Sequence, residues 1–273
     1  MLSRSLTHLF LVLALGGAGI AAAAEQNVSK NPACAGPDLL EAVNERNPAK
    51  VLSCLQNGAD ADFQDGEAIA NAAARNEPAI VKVLLENGAH LESALDRALA
   101  VAALRGHEEV VDLFLNNTQY KTDLNKPGNR TLAYGARSGN LNILRKLTAV
   151  GARDDDGYAV ASAIVARQHA SFDYLLQEAK FSPNAGNGML LSAAISSGDK
   201  YFVTSLLDKG ADTTSFPVIA ETIADIRKAR AEGNTTEEDF SHPAYDEIIA
   251  LVETAMNKAA AETKVKHAAL APS

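Results

Sequence analysis

Tryptophan is absent from the 273-residue sequence, and cysteine occurs only twice. No two histidines share metal-ligand spacing with a cysteine or a carboxylate, and no glycine-rich loop of the phosphate-binding kind is present. Ser197 and Lys200 match an S-x-x-K pattern, but its partner motifs are missing. The sequence therefore predicts no catalytic residues, no metal site and no cofactor. An enzyme with a site of an unrecognised kind is the alternative from another functional class.

Basic residues are outnumbered by acidic ones, with 25 Lys and Arg against 34 Asp and Glu and a net charge of −9. An overall negative field disfavours nucleic acid and anionic membrane surfaces as partners. The apolar content of 47% and the charged content of 22% are those of a folded domain. After the N-terminal region, no apolar run approaches the roughly 20 residues that a membrane span needs. We therefore expect a soluble, monomeric protein.

Residues 1–24 have the features of a cleaved secretory signal peptide. Arg4 precedes an apolar run over Leu9–Ile20, which is too short to span a bilayer, and small residues follow. The pattern predicts cleavage between Ala24 and Glu25. Because the cleavage region is rich in alanine, as in bacteria, the predicted location is the periplasm. A retained anchor is the alternative.

One phrase returns six times along the chain. Its best copies are VLSCLQNGAD at 51–60, VKVLLENGAH at 81–90 and VTSLLDKGAD at 203–212. The copies are anchored at Gly58, Gly88, Thr118, Gly151, Ala179 and Gly210, and successive anchors lie 30, 30, 33, 28 and 31 residues apart. Self-similarity at such a period indicates a solenoid of stacked repeats.

Each unit contains two predicted helices separated by a short breaker such as NEP or GHE. The first helix is rich in small residues, as in AIANAAAR and AVASAIVAR, so that neighbouring helices can approach closely. The second carries a broad apolar face, as at Ile80, Val81 and Leu84. One such hairpin cannot bury its apolar face, whereas a stack can. The prediction is an all-α fold.

The segments AAARNEPAIVKVLLENGAH and AAISSGDKYFVTSLLDKGAD resemble ankyrin repeats. The resemblance implies a solenoid of about six to seven helix-turn-helix repeats over residues 37–255, with an N-terminal segment at 25–36 and a C-terminal tail at 256–273. The last repeat has a predicted insertion between its helices, around residues 234–243. An α-solenoid of another kind is the alternative.

The chain departs from the ankyrin pattern at the T-P-L-H motif, which is missing from every repeat. The nearest copy keeps Thr131 and Leu132, with Ala133 taken as the position of the histidine. Because this motif contributes to the hydrogen bonds between successive turns, we expect less regular stacking.

Cys34 and Cys54 are predicted to form a disulfide. An even pair in an oxidising compartment favours one, and the two residues fall at neighbouring ends of the first antiparallel helix pair. Closing this loop is worth about 3 kcal/mol in the chain-entropy model. Two free thiols are the alternative.

The resemblance implies that partners bind across a concave face formed by the first helices and the loops between repeats, here called fingers. The candidate partner-binding residues are Arg75, Arg105, Arg137 and Arg167, with Tyr134, Asn71 and Ser162 at matching positions. Arginines can bind carboxylates through two hydrogen bonds, and aromatic and arginine side chains are frequent binding hot spots. A solvent-exposed helix end is the alternative explanation for the arginines. Asp60, Asp62, Arg153, Asp154 and Asp212 are expected to form a rim.

The predicted function is that of a periplasmic protein-binding module without catalysis. Two roles are open within this class. One is an inhibitor, such as an immunity protein that neutralises an effector acting in the periplasm. The other is an accessory protein that supports a redox or stress-defence enzyme, as some ankyrin proteins do. The sequence does not decide between them.

Overall fold

The computed structural model describes residues 34–232 and 244–270. The predicted signal peptide at 1–24, residues 25–33 of the N-terminal segment and the predicted insertion at 234–243 lie outside the described residues. In the described ranges the chain forms fourteen α-helices and no β-strand. The predicted all-α fold class is confirmed.

The helices follow one another as seven hairpins. The pairs are α1 (Gly36–Asn44) with α2 (Pro48–Gln56), α3 (Phe63–Ala74) with α4 (Pro78–Glu86), α5 (Glu92–Arg105) with α6 (Glu108–Leu115), α7 (Thr131–Ser138) with α8 (Leu141–Ala149), α9 (Tyr158–Val165) with α10 (His169–Asp173), α11 (Met189–Ser196) with α12 (Lys200–Asp208), and α13 (Pro217–Ala231) with α14 (Ala244–Leu270). A π-helical turn at Tyr174–Glu178 continues α10.

Each of the first six hairpins turns at one residue with a left-handed backbone. The φ angles of these residues lie between 55° and 77°, at Arg46, Asn76, Gly106, Gly139, Arg167 and Gly198. The second helix then begins with a favourable cap in several hairpins. The side chains of Asn47, Asn140 and Asp199 accept hydrogen bonds from free backbone N–H groups, as N-cap residues do. The breakers identified in the sequence therefore mark the turns between paired helices.

The first helices of successive hairpins pack closely because their contact faces are built from alanine. Ala72, Ala102, Ala136, Ala163 and Ala194 are fully buried. The first helices contact one another more extensively than the second helices do. Because the first-helix side of the stack is more tightly packed than the other side, we expect the stack to curve with the first helices on its inner side. A larger side chain at a buried alanine would overpack this interface, at a cost of about 1–3 kcal/mol.

The first helix of the second repeat, α3, opens with a left-handed turn at Gln64, Asp65 and Gly66, whose φ angles are 51°, 55° and 71°. Position 66 requires glycine because of its left-handed backbone and for steric reasons, since a Cβ atom there would lie 2.4 Å from the Cβ of Ala94. The close approach brings the start of α3 against α5.

The final helix runs across the position at which the predicted C-terminal tail begins. Residue 256, where a separate tail was expected, lies inside α14, which continues to Leu270 without a break. The beginning of α14 packs on α12, and residues 260–265 are exposed. At the other end, α1 begins at Gly36, one residue before the predicted start of the solenoid. Among the helices in the described ranges, none combines the length and the apolar character needed to cross a lipid bilayer.

Asparagine side chains tie the fingers together. Asn125 Nδ2 donates to the carbonyl oxygen of Gly151 at 2.9 Å, and its Oδ1 accepts from the Arg153 N–H at 2.8 Å. Asn184 makes the same pair of bonds to Gly210 and Asp212, at 3.1 and 2.7 Å. These ties supply hydrogen bonds between successive turns that the missing T-P-L-H motif does not.

Between the second and third repeats, Asp62 and His90 together replace the asparagine tie. Asp62 accepts from the backbone N–H groups of His90 and Leu91, at 3.3 and 3.2 Å, but a carboxylate has no hydrogen to donate to the Gly88 carbonyl. The His90 ring fills that gap, with Nδ1 2.6 Å from the Gly88 oxygen and 2.8 Å from Asp62 Oδ2. The Gly88 carbonyl and the Asp62 charge raise the pKa of His90.

We predict that Asp62→Asn lowers the pKa of His90. An asparagine at position 62 stands at the same 26-residue spacing from Gly88 as Asn125 does from Gly151, so its amide can donate to the Gly88 carbonyl. A raised folded-state pKa stabilises the fold below the unfolded value of about 6.5, and this contribution is lost as pH rises through the folded value. NMR titration of the His90 ring measures the change in its pKa. Unfolding followed across the same pH range measures the change in the pH dependence of stability. A His90 pKa equal in the two proteins would contradict the tie.

The two cysteines lie at disulfide-bonding distance. Cys34 precedes α1 and Cys54 lies near the end of α2, with the sulfur atoms 2.00 Å apart and the Cα atoms 5.0 Å apart. The predicted proximity of these two helix ends is confirmed. The link fastens the first hairpin, which has a neighbouring repeat on one side only.

We predict that protein expressed in an oxidising compartment and purified without reductant has no free thiol. Its intact mass should not change on treatment with an alkylating reagent, whereas reduction should expose two reactive thiols and lower the free energy of unfolding by about 3 kcal/mol. Alkylation of the unreduced protein would show that the cysteines are free.

Candidate partner-binding surface

A stripe of side chains that are not buried runs along the first helices of the second to sixth hairpins. The stripe comprises the residues nine, five and two positions before the left-handed turn residue, which share one helix face because they are spaced i, i+4, i+7. We call these positions in α3, α5, α7, α9 and α11, with Arg130 just before α7, the inner stripe. Its members are Glu67, Asn71 and Ala74; Arg97, Val101 and Leu104; Arg130, Tyr134 and Arg137; Tyr158, Ser162 and Val165; and Met189, Ala193 and Ser196. None of the fifteen is buried.

The largest exposed apolar side chains of the stripe belong to α7 and α9. Tyr134 is 38% exposed, Tyr158 43% and Val165 65%. The residue after each of these tyrosines on its helix, Gly135 or Ala159, is buried against the core. Tyr134 and Tyr158 are therefore exposed because of the helix face on which they lie, and not because α7 and α9 are loosely packed.

Arg130 stacks on the ring of Tyr158. Its guanidinium carbon lies 3.6 Å from the ring centroid, and Nη1 donates to Asp156 Oδ2 at 2.8 Å. A guanidinium over an aromatic face is attracted by the ring quadrupole, a contact worth about 0.5–1 kcal/mol at an exposed site. The contact joins the beginnings of α7 and α9, so that Tyr134 and Tyr158 belong to one continuous surface.

The longest finger, at residues 116–130, positions Arg130. Asp96 on α5 anchors this finger by accepting hydrogen bonds from Tyr120, Thr122 and Lys126. Burial alone would raise the pKa of Asp96, but the bonds from Lys126, Tyr120 and Thr122 outweigh it and hold the pKa below its usual range. The anchored finger ends at Arg130, which precedes the first residue of α7.

Asp154 positions Tyr158 and is not part of a solvated rim, contrary to the sequence-based expectation. It is 5% exposed and accepts from the backbone N–H groups of Ala159 and Val160, at 2.7 and 3.0 Å. Burial raises the pKa of its carboxyl group, while the two N–H donors act in the opposite direction. Asp154 thereby caps the beginning of α9, where Tyr158 is the first residue.

Two other acidic residues of the expected rim have local partners. Asp62 makes the tie to His90 described above, with its side chain 13% exposed. Asp212 accepts from Ser215 and Thr214, which lower its pKa to about 2. These carboxylates therefore organise the fingers.

Tyr134, rather than Ala133, stands at the histidine position of the T-P-L-H-x-A motif. Without a gap, the motif covers residues 131–136 and ends at Ala136. Thr131 is 1% exposed, and its hydroxyl has no hydrogen-bond partner within the described chain. The same position is occupied by Asn71 in α3 and Ser162 in α9. The matching of Asn71, Tyr134 and Ser162 that the sequence suggested therefore holds in the structure.

The four arginines do not occupy equivalent positions. Arg75 and Arg105 come one residue before the left-handed turn, Arg137 comes two before it, and Arg167 is itself the turn residue. Arg75 donates to Asn44 Oδ1 at 2.6 Å, Arg105 to the Ala74 carbonyl at 2.7 Å and Arg167 to the Ser197 carbonyl at 2.8 Å. Arg75, Arg105 and Arg167 thus connect the turns of adjacent repeats, and only Arg137 lies on the inner stripe.

Sequence reasoning missed Arg97, Arg130, Tyr158 and Val165. A signal for them was present, because positions 130 and 137 lie four residues before and three after Tyr134, and positions 158 and 165 have the same relation to Ser162. The helix period would have extended the matching set in both directions. The stacking of Arg130 on Tyr158 has no such signal, since it joins different repeats. Among the described side chains, no group of three or more His, Cys, Asp or Glu is placed to hold a metal ion.

A family model described as ankyrin repeats (3 copies) matches residues 39–126 and 72–156. The matched region extends from within α1 to the finger before α9, and the later hairpins continue the same helix arrangement. No curated protein matches the sequence as a relative.

We predict that Arg105→Glu destabilises the protein more than Arg137→Glu does. Both changes place a carboxylate in the last turn of a first helix, where the helix dipole disfavours it. Only the change at Arg105 also removes a hydrogen-bond donor to the Ala74 carbonyl. Because the site is exposed, the expected loss is up to about 1 kcal/mol. Arg137 makes no hydrogen bond or ion pair with the part of the chain that the structure describes, so its replacement should stay within about 0.5 kcal/mol. Thermal unfolding followed by circular dichroism measures both, and equal losses would contradict the inter-repeat role of Arg105.

Proposed function

We propose that this chain, an ankyrin-repeat protein, binds another protein across its inner stripe and acts as a monomeric binder without chemistry of its own. Ankyrin repeats are protein-interaction modules, and the site is proposed from its own geometry. The carrying observation is the surface in which Tyr134, Tyr158 and Val165 are exposed beside Arg130 and Arg137. Aromatic and arginine side chains dominate the energetics of protein interfaces, and here they are held by rigid helices.

The proposed surface is organised before binding. The stack between Arg130 and Tyr158 and the cap made by Asp154 fix the beginnings of α7 and α9. Tyrosine has few rotatable bonds, so burying Tyr134 and Tyr158 under a partner would cost little side-chain entropy. A preformed surface of this kind suits tight and selective binding.

We further propose a periplasmic location and an inhibitory role. The N-terminal sequence and the cysteine pair at disulfide distance both support an oxidising compartment outside the cytosol. A small exported binder that covers a surface of its target suits an immunity protein that neutralises an effector acting in the periplasm. Support for a redox or stress-defence enzyme is the competing role.

We predict that the wild-type chain captures a specific protein from a periplasmic extract of its own host and that the double variant Tyr134→Ala, Arg137→Glu does not. Loss of two hot-spot side chains should weaken binding at least about tenfold. Quantitative mass spectrometry of the retained proteins makes the measurement, with unchanged helical circular dichroism as the folding check.

Lys82→Glu is the matched control. Lys82 lies on the second helix α4 with its side chain 62% exposed, and its replacement by glutamate changes the net charge by the same amount as Arg137→Glu does. Equal capture by wild type and the double variant would remove the inner stripe as the binding site. The activity of the captured protein then separates the two roles. It should fall when the chain is added if the role is inhibitory, and it should rise or persist longer if the role is supportive.

A further inference from the structure

The part of the inner stripe on α5, α7 and α9 carries basic side chains and no acidic ones. In α5, α7 and α9 its nine positions carry three arginines, Arg97, Arg130 and Arg137, and no aspartate or glutamate. The chain as a whole has more acidic than basic residues and a net charge of −9. The side chains of this part of the stripe are therefore locally basic, in contrast to the acidic balance of the whole chain.

The three guanidinium groups keep hydrogen-bond donors free. Arg137 has no partner in the described ranges, and Arg97 donates through Nη2 to the backbone carbonyl of Asp65 at 2.7 Å. Arg130 donates to one carboxylate, that of Asp156. Each guanidinium offers five N–H donors, so most of them are available to a ligand. No carboxylate of the described chain neutralises Arg97 or Arg137.

The arginines flank an apolar centre. Arg130 and Arg137 lie seven residues apart on the same face, which corresponds to about 10 Å along the helix axis. Tyr134 lies between them, and Tyr158 and Val165 lie on the next first helix. Adjacent helices pack roughly 8–10 Å apart, so the path from α5 to α9 is about 16–20 Å. An extended polypeptide covers that distance with about six residues.

We infer that the inner stripe of α5, α7 and α9 binds an extended acidic segment of the partner protein, in which an aromatic or aliphatic side chain is flanked by carboxylates. This inference rests on the proposed function and specifies the chemistry of the partner. The apolar side chain packs between Tyr134, Tyr158 and Val165. The carboxylates accept hydrogen bonds from Arg97 and Arg130 at one edge and from Arg137 at the other.

Charge favours a short acidic segment over a nucleic acid. Electrostatic interactions are screened over about 8 Å at physiological salt, so a segment of a few residues interacts mainly with the arginines beneath it. A nucleic acid carries a charge every few ångströms along its whole length and would extend over the acidic remainder of the surface.

The experiment selects a displayed library of random peptides on the immobilised full chain. Peptides of about twelve residues are long enough, being roughly twice the length that the stripe accommodates. The expected binders are enriched in Asp and Glu around one aromatic or aliphatic residue. Their affinity for the Arg137→Glu variant should be at least about tenfold lower, and it should fall as NaCl is raised.

Lys82→Glu again controls for net charge and should leave affinity unchanged. The variant Tyr134→Ala, Tyr158→Ala reports whether a peptide occupies the stripe. Peptides that lose affinity for this variant but are not acidic, or are insensitive to Arg137→Glu, would overturn the inference and leave the proposed function intact. A selection that returns no peptide sensitive to the tyrosine variant would count against both.

Discussion

The close approach of the first helices is the constraint on which the rest of the structure depends. Ala102, Ala136 and Ala163 are buried between neighbouring hairpins, where the absence of longer side chains lets the backbones come near. The second helices are bulkier on their buried faces, with Leu84 and Phe114 in the core. One side of each hairpin is therefore thinner than the other, and stacking such units produces a curved solenoid.

The same constraint determines which side chains can meet a partner. A first helix has neighbours on both sides and a second helix behind it, so only one narrow face stays uncovered. On α7 and α9 that face carries Tyr134 and Tyr158, which a fully buried position could not accommodate. Chemical variety is concentrated at positions where the stack imposes no packing requirement. For this reason the composition of the inner stripe is informative about binding.

Polar side chains then fix the stack in one arrangement. Asn125 and Asn184 make equivalent ties between fingers, and the pair of Asp62 and His90 performs the corresponding task with different chemistry. Arg105 connects two turns through the Ala74 carbonyl. Each of these bonds is worth little at an exposed site, but they recur along the stack and restrain the angle between hairpins.

The helix period and the repeat spacing predicted the all-α solenoid, the proximity of Cys34 and Cys54, and the shared position of Asn71, Tyr134 and Ser162. These features follow from sequence patterns that are present within each single repeat. The non-equivalence of the arginines was not predictable at one-residue precision. Arg137 comes two residues before its turn residue and Arg167 is itself a turn residue, and the sequence does not specify the backbone angles that decide which residue forms the turn.

The sequence by itself determined the repeat unit, its helices and the faces that must be buried, because hydrophobic spacing depends only on neighbours along the chain. The tertiary structure alone decided that Arg130 stacks on Tyr158, that Asp154 is buried and that the final helix continues to Leu270. Contacts between repeats depend on the distance and angle between helices. Those quantities are set by the packing of many alanines at once, and no single stretch of sequence records them.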